Sequence, residues 1–329
     1  MSRRREADWK TIIRRIKAGK CTPIVSYQVS SHHFTNQKAV VEAWADEIGY
    51  PMIDRDNLAR VAQFSSTTSR DALVAKEEFL DFLKQRLLNQ ARDEQTAEQS
   101  AFLDTLADEL FDLTFSEVAS RLGYPRYENE LENPLRILAE LPLPIYLTTN
   151  YATFMENALR AANKEPRTEI CYWYEDLEDD VCSVFEQDPD YQPSVEEPLV
   201  FHLHGLDACP SSLVLTEDDY LDFLVKVSLD AEAVPKRVAQ ALADSSLLLL
   251  GYQLYDWDFR VIFRGLIATK RASRRLLSMS IQLTPDQAGI RDFEEAQNYL
   301  EQYFDKANFD IYWGDTQSFS RELWEQWEG

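Results

Sequence analysis

"SLLLLGY" (246–252) sets four leucines in a row and closes them with a tight-turn residue. A strand with one wet face alternates apolar and polar residues. An unbroken apolar run instead suits a strand covered on both faces, as in a parallel sheet. Working outward, runs of the same kind, each bounded by turn residues, are "TPIVSYQV" (22–29), "PIYLTTN" (144–150), "LVFHLHG" (199–205), "LLSMSIQL" (276–283) and "FDIYWG" (309–314). Helical patterns separate several of them: "ATFMENALRAA", "DFRVIFRGLIATKRA" and "RDFEEAQNYLEQYF" follow the runs ending near 150, 252 and 283. Repetition of strand, helix and strand predicts an α/β fold, a Rossmann-like doubly wound parallel sheet of about six strands.

More than a hundred residues separate the first two runs, too many for a simple crossover. "SRDALVAKEEFLDFLKQRLLNQA" (69–91) and "AFLDTLADELFDLTFSEVASRL" (101–122) carry apolar residues at helical spacing. Residues 35–140 are therefore expected to form a helical insert or cap after the first strand, with a partner-binding or self-association surface. Residues 1–34 and 141–329 make up the Rossmann-type domain. The acidic, Pro-bearing stretch 175–198 reads as an exposed loop, and "TEDDY" (216–220) as a helix start with acids at the positive dipole end.

Composition narrows the function classes. Hydrophobic residues make up 45% of the chain, enough for a full core, and the formal charge is −23. That balance argues against a nucleic-acid surface, which needs clustered Lys and Arg. The basic first 20 residues, "MSRRREADWKTIIRRIKAGK", are the exception and read most simply as a solvated helix face. No segment approaches the ~18 apolar residues of a membrane span, and Arg3 to Arg5 are not followed by a signal-peptide core. Cys21, Cys171, Cys182 and Cys209 are scattered, with no C-x-x-C pair. That pattern disfavours structural zinc and fits reduced thiols in a cytoplasmic protein.

Polar residues fall at the carboxyl ends of the runs: Asn150 after the second, His204 in the third, Gly251 and Asp256 at and beyond the fourth. In an open α/β sheet that edge is where ligands bind, so separate motifs converge on one crevice. Taken alone, Asn150 is a strand-end residue able to cap the helix beginning near Thr153, and His204 a core histidine bonded to backbone. His202 alternates with His204 and is expected to share its face in a structural role. Asp256 and Asp258 suit either a ribose hydroxyl or a helix N-cap.

Four segments, "YLTTNYATFMENAL", "FHLHGLDACPSSLVLTEDDYLDFL", "LLLLGYQLYDWDFRVIFRGL" and "IYWGDTQSFSRELWEQW", together with the opening "DWKTIIRRIKAGKCTP", resemble the sirtuin-like domains of bacterial antiphage defence. Members of that family cleave NAD to nicotinamide and ADP-ribose and are usually controlled by a partner. The resemblance implies NAD as substrate or vestigial ligand, no metal, and a protein partner or homo-oligomer within a defence complex. It covers a branch without the four-cysteine zinc ribbon. Breaking the nicotinamide–ribose bond releases a neutral leaving group through an oxocarbenium-like centre, so no general acid is needed. The resemblance makes Asn150 the residue that orients ribose and water, and His204 the base, suited by an imidazole's titration near neutral pH. It places ligand contacts at Ser26, Tyr27, Gln28, Thr149, Gly205, Gly251 and Asp256.

Two departures stand against an active enzyme. After "CTP" the family reads like "FLGAGAS", a strand ending in a tight glycine turn. This chain has "IVSYQVS" (24–30), with Ser26 and Gln28 at the glycine positions. Such glycines permit positive φ and let backbone amides sit against a pyrophosphate. Secondly, the family's "TTNYD" is "TTNYA" here, so Ala152 lacks a carboxylate implied at the nicotinamide end. The expectation is a sirtuin-like domain with weakened or lost NAD hydrolysis, acting as scaffold or regulatory subunit. The alternatives are an active NAD glycohydrolase switched on by a partner, and a receptor for another nucleotide.

Overall fold

The computed structural model describes residues 9–31, 37–94, 100–126, 133–174, 183–230, 233–252, 279–283, 293–305 and 309–329. Each apolar run of the sequence supplies a strand: β1 Cys21–Val25, β2 Ile145–Thr148, β4 Leu199–His202, β5 Ser246–Tyr252, β6 Met279–Leu283 and β7 Phe309–Trp313. With β3 Arg167–Ile170 they form one seven-stranded sheet in the order β3-β4-β2-β1-β5-β6-β7, parallel at every pairing. The fold is thus the expected Rossmann-like parallel α/β sheet, without a zinc ribbon among the described residues, and one strand larger than expected. The extra strand, "RTEI", is short and polar at its outer end, because an edge strand needs no continuous apolar run.

Alternation along the strands sorts side chains onto two faces. Cys21, Val25, Tyr146, Val200, Leu248 and Leu250 point into one core. Ile24, Leu147, Leu199, Phe201, Leu247 and Leu249 point into the other. The first core is roofed by α1 Trp9–Lys17 and by the helices between β1 and β2. Those are α2 Gln28–Ser31, α3 Gln37–Glu47, α4 Leu58–Ser69, α5 Ala72–Asp93, α6 Ser100–Asp108, α7 Phe115–Arg121 and α8 Pro134–Glu140. Trp44, Phe79, Leu88, Leu103 and Val118 from this stretch share one continuous buried cluster with Tyr146 and Val200 of the sheet. α9 Phe154–Ala161 completes that layer. The second core lies under α10 Val184–Gln187, α11 Glu217–Leu229 and α12 Lys236–Asp244. α13 Phe293–Asp305 connects β6 to β7, and α14 Thr316–Glu328 returns to the first layer through Phe319 and Leu323.

The "TEDD" acids do more than favour the dipole of α11. Thr216 and Asp219 form a reciprocal capping box at its start. Each acid also engages a helix of the 35–140 stretch: Glu217 with Arg60 (3.1 Å), Asp218 with Gln63 (2.8 Å) and Asp219 with Lys76 (3.1 Å). Lys76 and Asp219 are buried, and the Lys76 ammonium also lies 5.1 Å from the Trp173 ring centroid.

Three local expectations change. β1 ends at Val25 rather than 29, because helix α2 starts at Gln28. β4 ends at His202, where the chain turns. Residues 175–182 of the acidic stretch lie outside the described residues, as does the separate "DFRVIFRGLIATKRA" segment (258–272). The remainder of 175–198 is largely exposed or half-buried, as expected, but carries the short helix α10 and is pinned where Val184 and Tyr191 are buried and Glu169 of β3 accepts from Ser183 and the Val184 amide. Among the described residues no helix is long and apolar enough to cross a membrane.

Candidate functional site

The candidate site lies where strand order reverses, at the carboxyl ends of β2, β1 and β5. The turn after β1 closes its own amides. Ser26 N–H donates to the Leu250 carbonyl (2.9 Å), and Tyr27 N–H to Thr149 Oγ1 (3.1 Å). Gln28 N–H donates to Ser26 Oγ (3.2 Å), and Val29 N–H to the Ser26 carbonyl (3.1 Å). Ser26 and Gln28 are buried, and neither they nor Tyr27 has a positive φ. A serine that caps the following turn replaces a glycine turn without strain, since the left-handed region is not visited at all. The N–H groups that a phosphate-cradling turn directs at its ligand are here directed at the protein.

Thr149, itself buried, is tied to β1 by its amide on the Val25 carbonyl (3.0 Å). The next residue, Asn150, is half-buried and held at three of its polar groups. Its N–H donates to Thr148 Oγ1 (3.0 Å), its Oδ1 accepts from the Ala152 amide (2.9 Å), and its carbonyl faces His202 Nδ1 at 2.7 Å. The Ala152 bond assigns Oδ1 as the acceptor end of the carboxamide, which leaves Nδ2 as the donor end of this side chain.

His202 is wholly buried, and its second nitrogen, Nε2, lies 2.8 Å from Oε1 of the equally buried Glu156 on α9. Glu156 Oε1 also accepts from Thr168 Oγ1 of β3 (2.9 Å). A carbonyl and a carboxylate are both acceptors, so both imidazole nitrogens donate and the ring carries a proton on each. Burial opposes that charge, but the Glu156 carboxylate and the Asn150 carbonyl outweigh it and hold the His202 pKa above its ordinary value. For Glu156 the same burial is outweighed by His202, and its pKa is lowered.

His204 leaves this side of the sheet. The turn after β4 breaks the alternation, so the two histidines do not share a face as expected. The His204 ring is buried edge-on against Tyr220 and Phe223 of α11, with ring centroids 5.4 and 5.1 Å apart. Gly205 follows with φ +81, and a Cβ there would lie 2.2 Å from the Ser212 carbonyl oxygen, so the close approach it permits is to its own chain. Gly251 (φ +78) does the same for α2, since a Cβ would meet Val29 Cγ2 at 2.4 Å. Asp256 and Asp258 lie outside the described residues.

Sequence reasoning missed Glu156, Asp207 and Ser116. Asp207 Oδ2 accepts from both the amide and the hydroxyl of Ser116 (2.5 and 2.6 Å), and Ser116 Oγ accepts from the Thr153 amide (3.0 Å). This chain of bonds ties α7 to the turns after β2 and β4. Glu156 did leave a signal: it stands among Phe154, Met155 and Leu159, all buried, where a lone carboxylate needs a cationic partner. Among the described residues, no group of three or more His, Cys, Asp or Glu side chains is arranged to hold a metal.

Known proteins are similar in sequence to parts of this chain. The model of the SIR2-like domain family matches residues 144–308, half of the chain. The NAD(+) hydrolase ThsA of Enterococcus faecium is 30% identical over 149 residues, 45% of this chain and 27% of that protein. The NAD(+) hydrolase ThsA of Cytobacillus dafuensis is 26% identical over 185 residues, 54% of this chain and 33% of that protein. The chain therefore spans a third or less of the curated relatives it matches. With an all-parallel sheet whose "TTN" and "LHG" segments stand at one edge inside the matched region, the chain belongs to the SIR2-like domain family.

Proposed function

We propose that this chain is a sirtuin-like NAD-site domain of a bacterial antiphage system whose NAD hydrolysis is weakened or lost. It works in the cytoplasm as a scaffold or regulatory subunit, beside a catalytic partner or in a homo-oligomer. The observation that carries this reading is the inward closure of the Tyr27, Gln28 and Val29 amides, which leaves a pyrophosphate without its usual backbone donors. Ala152 agrees with it: the position is buried and carries no carboxylate.

A second reading, an active glycohydrolase, is favoured by the fixed geometry of Asn150. In that reaction water adds to C1′ of the nicotinamide riboside as the C1′–N bond breaks. The bonding pair leaves with neutral nicotinamide, and the proton from water passes to a base. The resemblance assigns that role to His204, whose ring here packs against Tyr220 and Phe223 and would have to turn toward the ribose. The chain, alone and with the products of neighbouring genes, is incubated with NAD and free nicotinamide is measured. No release by the chain alone is expected. Steady release abolished by Asn150→Ala establishes the second reading instead.

A further inference from the structure

Nothing in the proposed chemistry uses His202 or Glu156, yet together they form a fully buried ion pair that ends on the backbone of Asn150. A buried pair is weak evidence for stability as such, since its desolvation offsets most of its attraction. Its geometry is more telling. The imidazole is clamped between a carboxylate braced by Thr168 and the carbonyl of one residue just beyond the carboxyl end of β2. That residue has its own carboxamide oxygen tied to Ala152 N. We propose that His202 and Glu156 are positioning residues for Asn150: they fix its peptide so that the side-chain NH2 is held toward the ribose hydroxyl oxygens of a nucleotide. The inference rests on reading this edge as an NAD site, and it deepens that reading.

The His202–Asn150 contact has a direct signature in the unmodified protein. A hydrogen-bond scalar coupling between His202 Nδ1 and the Asn150 carbonyl carbon is expected by NMR. Its absence, with the ring otherwise observed, overturns the proposal. Two neutral double variants then separate positioning from packing. In Glu156→Gln/His202→Asn, the asparagine amide occupies the place of Nδ1 and still donates to Asn150. In Glu156→Gln/His202→Phe, that donor is gone. Hydrogen exchange at the Ala152 amide, which reports Asn150 Oδ1, is expected to be at least about tenfold faster in the second than in the first, with Leu147 and Phe201 unchanged. Equal exchange at Ala152, or exchange rising together across β2 and β4, overturns positioning.

ADP-ribose titrated calorimetrically into the full chain gives the second readout. The phenylalanine variant is expected to bind about tenfold more weakly than the asparagine variant, and to lose nothing further when Asn150→Ala is added. An additive loss overturns the proposal. Should the closed turn keep ADP-ribose out of the unmodified chain, the comparison is made in the Ser26→Gly/Tyr27→Ala/Gln28→Gly background. If that background also binds neither ADP-ribose nor NAD, the site reading fails by itself, and the coupling and exchange measurements still decide the role of the pair.

Discussion

Nε2 of His202 and Oε1 of Glu156 meet at 2.8 Å with neither side chain exposed to solvent, and their pKa values move in opposite directions. The sign of each contribution follows. A histidine raised above 6.5 stabilises fully below that value, and its contribution fades as pH rises through the folded pKa. A glutamate lowered below 4.5 stabilises above that value, and its contribution fades as pH falls through the folded pKa. Both contributions are therefore complete between pH 4.5 and 6.5. A double-mutant cycle of His202→Phe and Glu156→Gln, followed by denaturant unfolding, is expected to give its largest coupling in that window. Removing one partner alone costs roughly 3–5 kcal/mol, because the other is left buried and unpaired.

Lys76 and Arg60 both bridge the helices of the 35–140 stretch to the start of α11, but from different environments. Lys76 is buried against Asp219 and the Trp173 ring, whereas Arg60 is solvent-facing. Lys76→Ala strands Asp219, which also accepts the Leu215 and Thr216 amides, and is expected to cost roughly 3–5 kcal/mol. Arg60→Ala is expected to leave the unfolding midpoint nearly unchanged, since water screens both pairs it breaks, with Asp54 and Glu217. Equal midpoints for the two variants would show that the buried contact does not fasten these helices to the rest of the fold.

Gly205 and Gly251 are distinguishable by rescue. At Gly205 the obstacle to a Cβ is the Ser212 backbone, which cannot yield, so Gly205→Ala is expected to cost at least about 2 kcal/mol from conformation and clash together. At Gly251 the first obstacle is a valine methyl group. Gly251→Ala is therefore expected to be partly restored by Val29→Ala, and Gly205→Ala by no side-chain change nearby. Urea unfolding of the two single variants and the double variant measures this.

The reach of the sequence can be judged from particular residues. The parallel sheet was legible because Leu247 to Leu250 and the runs like it are buried on both faces, and such strands need unbroken apolar stretches. β3 was not, because Arg167 and Thr168 sit at an edge where no such run is required. The positions of Asn150 and His204 beyond strand ends were legible from the same runs. Their surroundings were not, because a turn of two residues after His202 carries the next histidine to the other face, and no periodicity encodes a turn. The role of Ser26 was half legible. The missing glycines pointed to a changed loop, but the bonds that replaced the cradle, to Thr149 Oγ1 and Ser26 Oγ, bring together residues distant in sequence and neighbours alike.

Restoring the loop tests whether those bonds are what keeps a nucleotide out. Ser26→Gly removes the hydroxyl that accepts the Gln28 amide, and Gln28→Gly removes a buried side chain and admits positive φ. Tyr27→Ala clears the ring, while the Thr149 hydroxyl still competes for the amide at 27. The triple variant is expected to gain NAD affinity by calorimetry while nicotinamide release stays low, since no carboxylate has returned at 152. Adding Ala152→Asp is then expected to raise turnover at some loss of stability, because position 152 is buried and its amide is held by Asn150. Asn150→Ala in that background should abolish the turnover gained, since it removes the group proposed to orient ribose and water. Robust release by the unmodified chain would place Gln28 and the closed amides outside the path of the pyrophosphate. A triple variant that binds no better would show that the framework of β1, β2 and β5 no longer admits the nucleotide at all.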